Sequence, residues 1–139
     1  MSEVIEFAKA EVGSVAPILS HKLGRTDLVK YAGASGDFNP MHSDEVAAKA
    51  AGQPSVFGHG MFSMGLLGSA LTAWVGIKNI KSFGVRFTKQ TWPDEILSTS
   101  IKVTSIEELE GKTLVTMDCS LSNQDGEVKV QGTATAIKP

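Results

Sequence analysis

Two side chains with acid–base chemistry, Asp37 and His42, stand within six residues of each other. A histidine titrates near neutrality, and a nearby carboxylate can stabilise its charged form and fix its tautomer. The surrounding residues restrict the backbone, because Gly36 can adopt a positive φ and Pro40 fixes its own φ. The stretch Tyr31–His42 is therefore predicted to be a rigid irregular loop, neither helix nor central strand, that directs an acid–base pair at a substrate.

A structural role is the alternative explanation for the same residues. Gly-Asp and Asn-Pro pairs are common turn signals, and Ser43 or Asp44 can cap a following helix. For an Asp/His pair taken alone, this structural interpretation is favoured. The assignment of Asp37 and His42 as catalytic residues therefore depends on the rest of the chain.

The sequence Gly58-His59-Gly60-Met61 offers a further group with chemical potential. It precedes Met61–Val75, where apolar residues recur every three to four positions, a pattern typical of a helix. The first amide N–H groups of a helix have no intrahelical partner and carry partial positive charge. The Gly60 amide is therefore predicted to approach a ligand oxygen that gains negative charge, with a simple tight turn as the alternative. His59 is predicted to pack or to cap locally.

The helix predicted over Met61–Val75 is apolar on most of its faces, which indicates burial on most sides. Gly65 and Gly68 each lower its helix propensity by about 1 kcal/mol, so a sheet or a ligand is expected to approach them closely. This apolar surface is more than one small sheet can cover. A dimer is therefore predicted, with sheets joined edge to edge or helices packed across the interface.

The remaining elements are predicted from hydrophobic periodicity and from turn residues. An early strand is expected over Val15–Leu23, followed by a short helix with Thr26 as its N-cap and a second short helix over Glu45–Ala51. The period then changes to two, which predicts strands over Ile80–Thr91, Ile96–Ile106, Lys112–Ser122 and Glu127–Ile137, the last two as an antiparallel hairpin. One buried helix and an antiparallel sheet make an α+β fold.

Length and composition bound the class of protein. The 139 residues suit one domain, 1–139, and 42% hydrophobic and 20% charged residues are ordinary for a soluble protein. A net charge of −2 gives no basic field for nucleic acid. The single cysteine, Cys119, excludes an intrachain disulfide and a cysteine-rich zinc site. Residues 1–12 lack the pattern of a signal peptide and no apolar run is long enough to span a membrane, so a cytoplasmic protein is expected.

The motif Ser35-Gly36-Asp37-Phe38-Asn39-Pro40-Met41-His42, with Tyr31 before it, resembles the signature of the MaoC-like hydratase/dehydratase family. The resemblance continues through Gly58-His59-Gly60-Met61 and the strand Val85-Arg86-Phe87, and so covers nearly the whole chain. Two departures stand out. Met41 replaces a Leu, Ile or Val, and Gln90-Thr91-Trp92-Pro93 replaces the family's usual Pro-Val step before a proline.

The resemblance implies a hot-dog fold, an antiparallel sheet wrapped around a long central helix, as a homodimer or paired with a related subunit. It also implies reversible syn hydration of trans-2-enoyl thioesters to (R)-3-hydroxyacyl thioesters, on coenzyme A. In that reaction Asp37 and His42 would activate one water, with their division of labour left open, and the Gly60 amide would stabilise the enolate-like oxygen. Ser35 and Asn39 would support the loop. No metal or redox cofactor is expected.

An acyl chain bound in this way needs an apolar slot. Met64, Gly68 and Leu71 share one stripe of the predicted helix and are candidate substrate-binding residues, although simple packing on the sheet explains them equally well. Arg86 is a candidate for binding the phosphates of coenzyme A or of an acyl-carrier arm, together with Lys78, Lys81 and Lys89. A solvated basic edge is the commoner explanation of such a cluster.

Three other functions compete with this one. An (R)-3-hydroxyacyl-carrier-protein dehydratase subunit, which works in fatty-acid elongation with a second hot-dog chain, is the runner-up, because the sequence resembles the catalytic subunits of actinobacterial heterodimeric dehydratases. A hot-dog thioesterase would carry a carboxylate on the long helix, and Met61–Val75 contains none. A non-catalytic partner subunit could lose its acid or its base, whereas this chain retains both.

Overall fold

The computed structural model describes residues 5–139. Val4 and the residues before it, which begin the segment 1–12 predicted not to be a signal peptide, lie outside the described residues. The described part contains three α-helices and five strands. They follow one another as β1 (Ser20–Lys22), α1 (Arg25–Ser35), α2 (Glu45–Ala50), α3 (Gly60–Val75), β2 (Ile80–Phe87), β3 (Ile96–Leu109), β4 (Lys112–Ser122) and β5 (Val128–Ile137). Within residues 5–139, each helix is too short or too polar to cross a bilayer.

The five strands form one antiparallel sheet in the order β1-β3-β4-β5-β2. Side chains alternate across it, as period-two sequence requires, and the inward set of β4 is completely buried. This face packs on Leu67, Leu71 and Val75 of α3 in one apolar core. The α+β prediction and the hot-dog arrangement, a sheet wrapped around one long helix, are confirmed.

Helix α3 begins at Gly60, one residue before the predicted start, and ends where Gly76 takes a φ of 87°. Its sheet-facing side is buried, whereas the opposite stripe, Met61, Gly65, Ser69 and Ala73, is exposed in the single chain. Burial on most sides is therefore not achieved within one chain. The four-residue spacing of the exposed positions places them on one face of the helix.

Helix α1 differs from its prediction at both ends. Thr26 is not its N-cap: the N-cap is Gly24 and the helix begins at Arg25, because the Asp27 carboxylate accepts the Gly24 N–H at 2.8 Å and so fixes the first turn two residues earlier. The helix continues to Ser35 and ends at Gly36, whose φ of 76° is left-handed. The first five residues of the predicted loop are thus helical.

The remainder of the predicted loop is also more regular than expected. An extended Asn39, with φ −56° and ψ 126°, introduces a 3₁₀ turn over Pro40–His42. Gly36 takes the left-handed conformation and Pro40 occupies the first position of the 3₁₀ turn. They mark where one helix ends and the next turn begins, and the irregular segment is correspondingly short.

Strand boundaries follow hydrogen-bonding constraints that periodicity does not contain. The predicted strand Val15–Leu23 is reduced to Ser20–Lys22 and an isolated bridge at Val15, since Pro17 between them has no N–H to donate. Strand β2 ends at Phe87 rather than at the predicted Thr91. Directly after Phe87, the Thr88 and Lys89 amides both donate to the Lys129 carbonyl. Strand β3 extends three residues beyond the prediction, to Leu109.

The single cysteine, Cys119, lies on the inward face of β4, fully buried in the core. Burial, with a smaller contribution from the neighbouring Asp118 carboxylate, raises the pKa of its thiol to about 11. The thiol is consequently protonated at neutral pH, as a structural cysteine should be.

The first turn of α1 should make stability depend on pH through Asp27. Burial tends to raise the pKa of this carboxyl, but hydrogen bonds from the Gly24 amide and the His21 imidazole outweigh it, and the net pKa lies below its ordinary 3.8. The group therefore stabilises the fold above pH 3.8, and this contribution is lost as pH falls through the lower folded-state value.

We expect Asp27→Asn to lower the free energy of unfolding by about 1 kcal/mol at pH 7, because a charge-assisted hydrogen bond becomes neutral. The difference from the unsubstituted protein should shrink towards zero at a pH low enough to protonate Asp27 in the folded state, where both side chains are uncharged. Urea unfolding at both pH values measures it. A difference that stays constant with pH would show that the carboxylate charge contributes nothing.

Candidate active site

The short segment between α1 and the 3₁₀ turn is held by its own polar side chains. Ser35 Oγ donates to the Tyr31 carbonyl at 2.7 Å and accepts the Asp37 N–H at 3.1 Å. Asp37 Oδ1 accepts the Asn39 N–H at 3.2 Å, and Asn39 Oδ1 accepts the Met41 N–H at 3.1 Å. These Asx-type bonds fix the backbone, so the Asp37 carboxylate is held in place although its side chain is 51% exposed.

His42 is held by a contact remote in sequence. Its Nδ1 lies 2.7 Å from the Phe57 carbonyl oxygen. A carbonyl only accepts hydrogen bonds, so Nδ1 carries the hydrogen and the neutral ring has its lone pair on Nε2. This Nε2 faces Asp37 Oδ2 at 4.0 Å. The ring is 9% exposed, so a buried base and a solvent-reaching carboxylate meet at one point.

His59 supports both of these residues, although the sequence predicted only local packing or capping for it. Its Nε2–H donates to the Asp37 main-chain carbonyl at 3.1 Å. Its ring stacks on that of His42 with centroids 3.9 Å apart, and the Tyr31 ring packs on the His59 ring with centroids 4.8 Å apart. Burial lowers the pKa of His59, and the opposing hydrogen bond to Asp37 does not overcome this. His59 is consequently neutral at pH 7, and it makes no side-chain cap.

A cavity of about 410 Å³ opens beside His42 and the start of α3. Its wall consists of His42, Phe57, Gly58, Gly60, Ser63, Phe87, Thr88, Lys89, Gln90, Thr91 and Val130. Among the described residues, no group accepts the N–H of Gly60. A Cβ at this position would lie 3.2 Å from the Phe87 ring, so glycine leaves the amide open to the cavity. Asp37 does not line the cavity, but its carboxylate faces the Nε2 of His42, which does.

The chain matches, over residues 7–124, the family described as MaoC like domain. It belongs to the MaoC-like dehydratase family. The R-hydratase PhaJ1 of Pseudomonas aeruginosa has a similar structure, with a TM-score of 0.81 and 30% identity over 98% of this chain and 86% of that one. The ChsH1-ChsH2 complex of Mycobacterium tuberculosis gives a TM-score of 0.79 and 28% identity over 92% of this chain and 98% of that one.

A curated relative is the 3-hydroxyacyl-thioester dehydratase Y of Mycobacterium tuberculosis, 46% identical over 71 residues. The match takes in 48% of this chain and 24% of that protein. The chain thus matches about a quarter of the length of this relative, and a smaller share of the yeast fatty acid synthase subunit beta, 5%.

The residues predicted for the acyl slot and the carrier do not line this MaoC-like cavity. Leu71 belongs to the core beneath the sheet, and Gly68 approaches Phe83 rather than the cavity. Met64 is half-buried on α3, away from the wall. Arg86 is exposed in a separate shallow groove with Asp118. These positions remain predictions about a ligand that would extend beyond the wall.

The wall segment Thr88–Thr91 overlaps the departure from the MaoC-like pattern at Gln90-Thr91-Trp92-Pro93, and a buried ion pair holds it in place. The ammonium of Lys129, completely buried, lies 3.0 Å from Glu95 Oε2 and donates to the Gln90 carbonyl at 2.9 Å. The main-chain carbonyl of Thr91 accepts the Gly58 N–H at 2.9 Å. Lys129 therefore connects the core of the sheet to the segment that faces His42. Lysine alternating with apolar residues in β5 was the available signal, and its partners could not be read from it.

Asp37, His42 and His59 place ligand atoms within 4.8 Å of one another, the kind of set that can hold a metal ion. The geometry of this MaoC-like site does not suit one. The two imidazoles are stacked with an interplanar angle of 27°, so their in-plane lone pairs lie in nearly parallel planes and do not converge. His59 also uses Nε2 to donate to the Asp37 carbonyl.

Proposed function

We propose that the chain catalyses the reversible syn hydration of trans-2-enoyl thioesters to (R)-3-hydroxyacyl thioesters, with coenzyme A as the carrier. One observation supports this above the others: the free Nε2 of His42 and the Asp37 carboxylate meet at 4.0 Å beside a cavity that the unpaired Gly60 amide also borders. The likeness to the R-hydratase PhaJ1 supports the R configuration.

In the hydration direction, Asp37 and His42 hold one water molecule between them. His42 Nε2 takes a proton from this water as the oxygen bonds to the β-carbon. The π electrons move to the thioester oxygen, where the Gly60 N–H stabilises the negative charge. The imidazolium, stabilised by Asp37, then returns the proton to the α-carbon. The elements of one water molecule are added on one face.

Dehydration uses the same groups in reverse. His42 removes the α-proton, the Gly60 amide stabilises the enolate, and the imidazolium protonates the departing hydroxyl. Both proton transfers use side chains of this chain, and the electrons remain within the substrate. The proposed reaction therefore requires no metal or redox cofactor, and the thioester carrier is part of the substrate.

A dehydratase of (R)-3-hydroxyacyl carrier-protein thioesters, acting with a second hot-dog subunit, is the second candidate. It is favoured by the likeness to the ChsH1-ChsH2 complex, which contains two different chains. A thioesterase is disfavoured, because α3 carries no Asp or Glu.

We also propose that two subunits associate along β2, the same chain twice or a related hot-dog partner. Strand β2 is an edge of the sheet, and its last residue, Phe87, is 52% exposed while it borders the cavity. A second subunit on this edge would cover Phe87 and close the site. Light scattering of the purified protein should give the mass of two chains, and a monomeric mass at all concentrations would contradict a homodimer.

Steady-state hydration of crotonyl, octenoyl and longer trans-2-enoyl thioesters, on coenzyme A and on an acyl carrier protein, tests the proposed function. Loss of the enoyl absorbance should accompany formation of the R product, resolved by chiral chromatography. A preference for the carrier protein, or activity only after a second hot-dog chain is added, would favour the second candidate. A protein inert towards every thioester on both carriers, with or without a partner, would be no hydratase.

A further inference from the structure

Ser63 places a hydroxyl without a hydrogen-bond partner in the wall of the cavity. The residue is 2% exposed, and within the described part of the chain its Oγ contacts neither a donor nor an acceptor. A buried hydroxyl without a partner is unusual, since most such groups are satisfied. Its position beside Gly60 and His42 indicates that a ligand supplies the missing partner.

Other hydroxyls of α3 show that Ser63 has a ready alternative that it does not use. Ser69 Oγ donates to the Gly65 carbonyl at 2.9 Å, and Thr72 Oγ1 donates to the Ser69 carbonyl at 3.2 Å. Such bonds to the preceding turn are the ordinary behaviour of helical serine and threonine. The Ser63 hydroxyl is therefore available to the cavity.

The position of Ser63 in the helix directs its hydroxyl to the same point as the Gly60 amide. Residues three apart lie on one face of a helix, and helical side chains lean towards the N-terminus. The hydroxyl thus lies over the first turn, where the Gly60 N–H has no acceptor within residues 5–139. The positive end of the helix dipole adds to the attraction for negative charge there.

We infer that the Ser63 hydroxyl is a second hydrogen-bond donor to the thioester carbonyl oxygen, beside the Gly60 amide. This inference rests on the proposed function, because it assigns a role to Ser63 within that reaction. Two donors from different directions stabilise the carbonyl oxygen more strongly in the transition state, where it gains negative charge, than in the ground state. Ser63 is accordingly a catalytic residue that contacts the substrate.

Thr91 is the other candidate for the second donor to the carbonyl oxygen, because its buried Oγ1 also has no hydrogen-bond partner among the described residues. A Cβ added at Gly58 would come within 2.2 Å of this Oγ1. Thr91 belongs to the loop and lies outside the first turn of α3. The same experiment can separate the two hydroxyls.

Ser63→Ala removes the hydroxyl and retains a good helix former, and Ser69→Ala is the matched control on the same helix. We expect Ser63→Ala to lower kcat for crotonyl-CoA hydration about 10²-fold with little change in KM, as for loss of an oxyanion donor. Ser69→Ala should remain within about twofold of the unsubstituted protein, and both variants should unfold at similar temperatures.

The infrared carbonyl stretch of bound, unreactive butyryl-CoA gives a readout that does not depend on turnover. Loss of a donor should move this band to higher frequency in Ser63→Ala and leave it unchanged in Ser69→Ala. An unshifted band with unchanged kcat would overturn the inference, as would a loss of kcat in Thr91→Val that is absent in Ser63→Ala. An inactive unsubstituted protein would instead refute the proposed function, while a shifted band would still assign Ser63 to the carbonyl.

Discussion

His42→Ala is expected to lower kcat for enoyl-thioester hydration by about 10²–10⁴-fold, the range that general acid–base catalysis contributes. The Phe57 carbonyl holds the hydrogen of this residue on Nδ1 and leaves its Nε2 lone pair free to face the Asp37 carboxylate. Asp37→Asn should cause a loss of similar order, since the imidazolium formed during proton transfer loses its neighbouring carboxylate. Stopped-assay kinetics with crotonyl-CoA measure both effects.

Matched controls separate chemistry from folding. His21→Ala removes a histidine that pairs with Asp27 away from the cavity, and Asp125→Asn neutralises an exposed carboxylate in the turn between β4 and β5. Both should retain activity. Circular dichroism should show that His42→Ala and Asp37→Asn remain folded. Full activity in either of these two folded variants would remove that residue from the mechanism.

Lys129→Met is expected to reduce the free energy of unfolding by about 3–5 kcal/mol, the usual consequence of removing one partner from a buried ion pair. The methionine is similar in length, so the volume of the site is nearly kept. The Glu95 carboxylate loses its cation while it remains almost enclosed, and among residues 5–139 its remaining donors are the Trp92 N–H and the Asn123 side-chain amide. Urea unfolding at pH 7 measures the change.

The same substitution should also affect catalysis, because Lys129 donates to Gln90 in the cavity wall. We expect a raised KM in the fraction that remains folded, as the wall moves relative to His42. Lys112→Met, an exposed lysine at the start of β4, is the control and should change the unfolding free energy by less than about 0.5 kcal/mol. Equal stability of the two variants would mean that the buried pair contributes nothing net.

The proximity of Asp37 and His42 could be predicted because the constraints on the segment that carries them are local. Gly36 and Pro40 restrict the backbone through their own covalent structure, and Ser35 and Asn39 form hydrogen bonds within two to four residues. The period of the apolar residues likewise predicted α3 and strands β3, β4 and β5 to within three residues. Such features are determined by neighbours along the chain, so a sequence reveals them directly.

The partners that complete the site are distant in sequence. The Phe57 carbonyl that sets the tautomer of His42 lies 15 residues away, and His59 contacts the Asp37 carbonyl across 22 residues. Lys129 reaches Gln90 across 39 residues. Periodicity identifies the faces of α3 but does not say which one the cavity meets. Leu71 was for this reason predicted at the ligand, whereas the sheet covers it.

The buried thiol of Cys119 has a practical consequence for experiments on this protein. Because the pKa of this thiol is about 11 and its side chain is fully buried, it should not react with maleimides or disulfide reagents under native conditions. Colorimetric detection of free coenzyme A, which the competing thioesterase reaction would release and hydration would not, should therefore have no background from the protein. A cysteine introduced at exposed Phe38, beside the carboxylate of Asp37, would accept a single fluorophore and report occupancy in real time.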